Sequence, residues 1–128
     1  MNEGEEKMKK YNIPVEASLD VIGGKWKVVI LCHLTKGTKR TSQLKKLMPN
    51  ITQKMLTQQL KELQEDNIVH RKVFNQVPPK VEYSLTDYGW SLKEVLDLLC
   101  SWGENHIETM YPDKNDVLLP PVEDEVTL

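Results

Sequence analysis

Between Thr52 and Asp66 the chain places Gln53, Lys54, Thr57, Gln58 and Lys61 at spacings that put them on the polar side of a helix. These side chains suit polyanion and base-edge chemistry. A glutamine amide can pair with adenine through both its atoms, lysine can reach guanine acceptors or phosphate, and threonine can donate to phosphate or touch a thymine methyl. A second basic group follows at once. Arg71, Lys72 and Lys80 stand on or beside the tip of HRKVFNQVPPKVEYSL, where Pro78-Pro79 lowers the entropic cost of ordering a turn. Upstream, Lys39, Arg40, Thr41 and Ser42 open another helical segment and are further candidates for phosphate contact.

No comparable pattern supports catalysis. There is no Gly-rich phosphate loop, nucleophile motif or HExxH, and His33, His70 and His106 are scattered. Neither Cys32-His33 nor Cys100 with His106 has metal-site spacing, so no metal, cofactor or enzymatic activity is expected. Cys32 lies in an apolar run and reads as a core thiol. Cys100 lies beside the apolar stripe of the last helix and is the candidate redox residue, since reactivity needs exposure and a lowered pKa.

The elements that must position these groups can be read from the same chain. Pro14 can occupy a first helical turn, and Val15, Leu19 and Ile22 share one side of a helix that Gly23-Gly24 ends. Lys25 to Leu34 is a second helix, nearly all apolar from Trp26 onward. Lys39 to Thr41 is a short extended link, and Thr41 or Ser42 caps a third helix that stops before Pro49. Pro49-Asn50 then makes a turn, and Thr52 caps the fourth helix. Leu56, Leu60 and Leu63 cluster within about 60° on its other side. Strands follow at Ile68 to Gln76 and Lys80 to Leu85. Thr86 caps one long last helix, which Pro112 ends. Its repeating residues include Leu92, Val95, Leu96, Leu99, Trp102 and His106, more apolar surface than a small core needs. With Leu19 they are the expected seam of a homodimer.

The whole carries a net charge of −2, which by itself argues against a nucleic-acid partner. Its distribution argues the reverse. Residues 7–80 hold 15 Lys/Arg against 5 Asp/Glu, whereas residues 81–128 hold 2 against 11. Such a split gives one basic face for a polyanion and an acidic region directed elsewhere. At 128 residues the chain suits one domain, here 13–111, between a charged flexible arm at 1–12 and a loose acidic tail at 112–128. Two cysteines without CxxC spacing make no disulfide framework, no apolar run is long enough to span a membrane, and the N-terminus lacks a signal sequence. A cytoplasmic location is expected.

A polar helix followed directly by a basic hairpin is the layout of a winged helix-turn-helix: a mainly α fold with a small β-hairpin, dimerising through its terminal helices. The blocks VEASLDVIGGKWKVVILCHL, ITQKMLTQQLKELQEDNIVHRKVF and VPPKVEYSLTDYG, with a later WG, resemble the HxlR-type transcriptional regulators, bacterial winged-helix proteins related in fold to the MarR group. The resemblance runs from Pro14 to His106. It implies a homodimer on operator DNA, usually a repressor and sometimes an activator, with Thr52 to Asp66 as recognition helix and the hairpin as wing. Many members carry a cysteine immediately before the PVE segment, which in some senses electrophiles or oxidants; here that position is Ile13, so a sensor on that thiol is absent. Two other readings stay open: a winged-helix module that binds protein, and a thiol-switched regulator using Cys100. A small-molecule effector is a further partner whose identity the sequence does not define.

Overall fold

The computed structural model describes residues 8–121. Among them the chain runs through α1 (Pro14–Ile22), α2 (Lys27–Leu34), α3 (Thr41–Leu47), α4 (Gln53–Glu65), β1 (Val69–Phe74), β2 (Lys80–Leu85), α5 (Asp87–Trp90) and α6 (Lys93–Met110), then a 3-10 turn at Lys114–Asp116. This is the mainly helical architecture with one antiparallel hairpin that the sequence predicts. None of the described helices is long and apolar enough to cross a membrane.

Pro14 starts α1, and the Gly23 N–H closes it on the Leu19 carbonyl at 2.8 Å. Gly24 then takes a φ of +91°, a conformation that strains any side chain. That turn leaves Lys25 and Trp26 outside the helix, so α2 starts two residues later than the sequence predicts. Its Ile30, Leu31 and Leu34 meet Leu44 of α3 and Leu56, Leu60 and Leu63 of α4 in one core. Each such side chain contributes about 2 kcal/mol by leaving water. α3 begins at Thr41 with Arg40 in the cap position, its N–H held by the Gln43 side chain at 2.8 Å. Thr41 and Ser42 are therefore first-turn residues rather than caps.

The turn from α4 into the hairpin uses Asn67 at a φ of 59°, one of the few non-glycine residues that accept this conformation. Register pairs Val69 with Leu85 and Phe74 with Lys80. β2 has the bounds that its alternation predicts, while β1 is shorter than predicted, running from Val69 to Phe74. The extended link before α3 becomes a single bridge. Lys39 donates its N–H to the Tyr83 carbonyl at 3.0 Å and its own carbonyl accepts from Tyr83 N at 2.8 Å, an isolated antiparallel bridge to β2.

One helix was expected after β2, and two are found. Thr86 does cap, its hydroxyl accepting from Gly89 N at 2.8 Å while donating to the Asn67 carbonyl at 2.7 Å. The chain then tightens: Ser91 N bonds Tyr88 O, Leu92 N bonds Gly89 O, and the Ser91 hydroxyl also returns to Tyr88 O. Three-residue bonds of this kind interrupt the four-residue ladder, so α6 begins as a separate helix at Lys93.

Side chains near both ends of the described residues make local contacts. Residues 8–12 are tied to α1, with Tyr11 Oη donating to Asp20 at 2.6 Å and Lys9 paired with the same carboxylate at 2.7 Å. Residues 112–121, expected as loose tail, include the 3-10 turn, where Asp113 accepts from Asn115 N at 2.9 Å. The expectations for residues 1–7 and 122–128 lie outside the described residues.

Candidate nucleic-acid interface

The fourth helix is built to show one face. Thr52 Oγ1 accepts from Met55 N at 3.1 Å and opens it, while Leu56, Leu60 and Leu63 are buried beneath. Gln53, Lys54, Thr57, Gln58 and Lys61 are all exposed, the last four on the side away from those leucines. The inner face has a polar anchor that sequence reasoning missed. Lys27 of α2, only 7% exposed, puts Nζ 2.7 Å from Glu62 Oε1. Gln58 Nε2 donates to the other oxygen of the same carboxylate at 2.6 Å. These contacts hold the Glu62 carboxyl below its usual range, first through the Lys27 hydrogen bond and then through Gln58. A lowered folded-state pKa means that the contact's contribution is complete above the ordinary glutamate pKa and is lost as pH falls through the lowered value. A lone lysine in the apolar WKVVILCHL run was the signal in the sequence.

This anchoring separates the two glutamines. Gln58 is held to a carboxylate that is itself held. Gln53 Nε2 reaches Thr57 Oγ1 at only 3.4 Å, a long contact that exchanges easily for a base edge. The Gln53 amide is thus held less firmly than that of Gln58.

The hairpin brings part of the second basic group to the helix. Thr57, Lys61 and Gln64 of α4, with Arg71 of β1 and Tyr83 of β2, border one groove of about 440 Å³. Lys72 and Lys80 lie on the other face of the hairpin, where both ammonium groups stand 4.8 Å from the Phe74 ring centroid. Lys80 also pairs with Glu82 at 3.2 Å. It is half-buried and locally neutralised, not the free phosphate contact that the Pro-Pro tip implies. Phe74 was missed as the spacer of these two cations, although the alternation Lys72, Phe74 placed it on their face. Lys39 is corrected outright. It is 4% exposed and its Nζ lies 3.4 Å from the Gly37 carbonyl, which withdraws it from any phosphate. Arg40 and Ser42 are exposed and Thr41 half-buried at the start of α3.

A second surface faces away from these groups in chemistry. Val95, Leu99 and Trp102 of α6 and Leu19 of α1 are exposed apolar residues, and Trp102 is 68% exposed. His106 stacks on Trp102 with ring centroids 5.2 Å apart. Leu96 leaves this set: at 1% exposure it is the part of α6 that enters the protomer's own core, and Leu92 packs against that core too. Leu98, 65% exposed, is a further apolar residue of this surface that sequence reasoning missed, although it lies three residues after Val95 and four before Trp102. Among the described residues no group of three or more His, Cys, Asp or Glu is placed to hold a metal.

Comparison with known proteins gives this geometry a context. The HxlR-like helix-turn-helix family matches residues 21–111. The chain is 69% identical over 110 residues to the uncharacterized HTH-type transcriptional regulator YtcD of Bacillus subtilis, covering 86% of this chain and 87% of that one. It is 51% identical over 114 residues to YkvN of the same organism, covering 89% and 97%. Among solved structures, the redox regulator HypR in its reduced form superposes with a TM-score of 0.74 at 50% identity, covering 77% of this chain and 97% of that one. The reduced form of the regulator YodB from B. subtilis gives 0.65 at 33% identity, covering 80% and 99%.

Proposed function

This chain belongs to the HxlR-like helix-turn-helix family, and from that premise we propose that it is a homodimeric repressor of a palindromic promoter operator. It is a transcriptional regulator of the helix-turn-helix type, and DNA is its partner. The observation that carries the finer reading is the exposed face of α4 sharing a groove with Arg71 of the wing. A helix so presented enters a major groove, and a two-fold pair of them matches two half-sites about 34 Å apart. Residues 13–111 form the working unit in this reading, with α1 and α6 supplying the seam between copies. Repression follows by competition for promoter DNA. Lys54, Lys61 and Arg71 supply phosphate attraction, and Gln53 and Thr57 supply base readout. Gln58 is the helix-anchored neighbour, and Lys72 and Lys80 act from the wing's outer face. Arg40, Thr41 and Ser42 meet the backbone at the start of α3. A protein-binding module would have little use for a segment with 15 basic and 5 acidic residues.

The test is a gel shift with the DNA upstream of the protein's own gene against random duplex, under reducing conditions. If a dimer neutralises about eight phosphates, log K falls with log salt at a slope near −7. Lys61→Ala is expected to weaken both DNAs alike and make that slope shallower by about one unit per protomer. Gln53→Ala is expected to erode operator preference by about 1–3 kcal/mol while leaving random DNA nearly unchanged. Equal losses on the two DNAs would remove Gln53 from base reading. No sequence-dependent shift by the reduced protein would favour the protein-binding module.

Glu82 provides a gain-of-function check. Glu82→Gln releases Lys80 and deletes one negative charge from the wing, so binding to random duplex is expected to tighten several-fold at low salt and to converge with wild type at high salt. Anisotropy titrations across a salt series measure this, and unchanged or weaker binding would show that Lys80 stays off the DNA.

A further inference from the structure

Cys32 and Cys100 are 68 residues apart in sequence, yet their sulfurs lie 3.9 Å apart where α6 crosses α2. Cys32 is half-buried and Cys100 is exposed. Cys32 is therefore not the isolated core thiol that the sequence implies, and Cys100 is not alone. We propose that these two thiols form a within-chain oxidation site that two-electron oxidants such as peroxides close to a disulfide, tying α6 to α2 and weakening DNA binding.

The geometry needs little movement. A disulfide of about 2.05 Å requires the sulfurs to approach by roughly 1.9 Å, within the reach of side-chain rotation and a small helix shift. Access and burial divide the roles. Cys100 borders an open cavity of about 400 Å³ together with Gly103, Ile107 and Leu118, so an oxidant meets it first. Burial, and then the neighbouring Cys100, push the Cys32 thiol up to about 11, which makes it a poor first nucleophile and leaves it to react second. The Cys100 thiolate attacks a peroxide oxygen, breaking the O–O bond and giving a sulfenic acid and one water. The Cys32 sulfur then attacks the Cys100 sulfur, and the departing hydroxide takes the Cys32 proton as a second water. Both sulfurs are oxidised by one electron each and the peroxide is reduced by two. The consequence for DNA rests on the reading above: α2 backs the recognition helix through the Lys27–Glu62 contact, and α6 carries the seam. Drawing the two together changes how far apart a dimer holds its recognition helices.

The experiment treats the full-length protein with hydrogen peroxide, blocks remaining thiols, and maps peptides by mass without reduction. The expected product is a Cys32–Cys100 bridge lighter by two hydrogens, migrating as a single chain on a non-reducing gel. It should be absent from Cys100→Ser and from Cys32→Ala, which keeps the half-buried side chain apolar. The oxidised protein should bind operator several-fold more weakly than the reduced protein, with full recovery on adding dithiothreitol. A Cys100–Cys100 link between chains, over-oxidised Cys100 with Cys32 still free, or no modification would overturn the site. A Cys32–Cys100 bridge with unchanged DNA affinity would overturn its regulatory role. Failure of the reduced protein to bind operator counts against the DNA-binding reading instead, and the peptide map still judges the bridge.

Discussion

Trp102→Glu is expected to leave the protomer folded and to separate it from its partner, with operator binding lost in consequence. The side chain is 68% exposed, so its replacement removes little from the protomer's own core. In the proposed dimer the same indole sits among Val95, Leu98 and Leu99, and tryptophan is the residue type that most often dominates an interface. Losing it costs at least about 2 kcal/mol, a factor of about thirty in the dimer dissociation constant. A carboxylate facing an apolar seam adds a desolvation cost on top. Because two linked half-sites gain about 10² to 10⁴ in affinity over one, a monomer should not shift operator at concentrations where wild type saturates it. Sedimentation velocity and a gel shift on one preparation check both parts. Leu96→Ala is the control, since that side chain serves the protomer's core; it should lower stability and leave the folded fraction dimeric. A Trp102→Glu protein that remains a tight dimer would place the seam elsewhere.

Gly89→Ala is expected to destabilise the protomer by on the order of 3 kcal/mol, although it adds one methyl group. A Cβ built at Gly89 would lie 2.2 Å from the Ile68 carbonyl oxygen. That oxygen cannot simply move aside, because it accepts the Thr86 N–H at 3.0 Å. Thr86 in turn caps α5 and bonds Asn67, so relief at one atom disturbs the end of the wing and the launch of α6 together. Urea unfolding of the variant beside wild type measures the loss. A change below about 0.5 kcal/mol would mean that the junction yields freely and that the close approach is not structural. The glycine's value here is space, since its backbone lies outside the left-handed region.

The recognition half of the fold was legible because its signals are local. Thr52 as a cap, three leucines at helical spacing and an alternating hairpin each follow from residues close together in sequence. What escaped depends on where elements cross. The α6 stripe is broad enough to serve two purposes, and only its passage over α2 decides that Leu96 turns inward while Leu98 and Trp102 stay out. The break at Ser91 carries no proline to announce it. Lys39 reads as surface charge until a bridge to Tyr83 buries it. Cys32 and Cys100 meet only in three dimensions. Local chemistry was therefore readable, and pairing between distant elements was not.

The two sides of α4 answer to different demands, and this has an evolutionary consequence. Leu56, Leu60, Leu63 and the Glu62 clasp to Lys27 fix how the helix is rotated about its own axis. Gln53 and Thr57 touch none of that clasp. In the proposed reading, substitutions there alter which operator is preferred while the scaffold keeps its stability margin, so new specificities can arise by duplication and drift along a few neutral steps. Engineering has the same latitude: a library confined to those two positions would explore operator choice without spending its variants on unfolded protein.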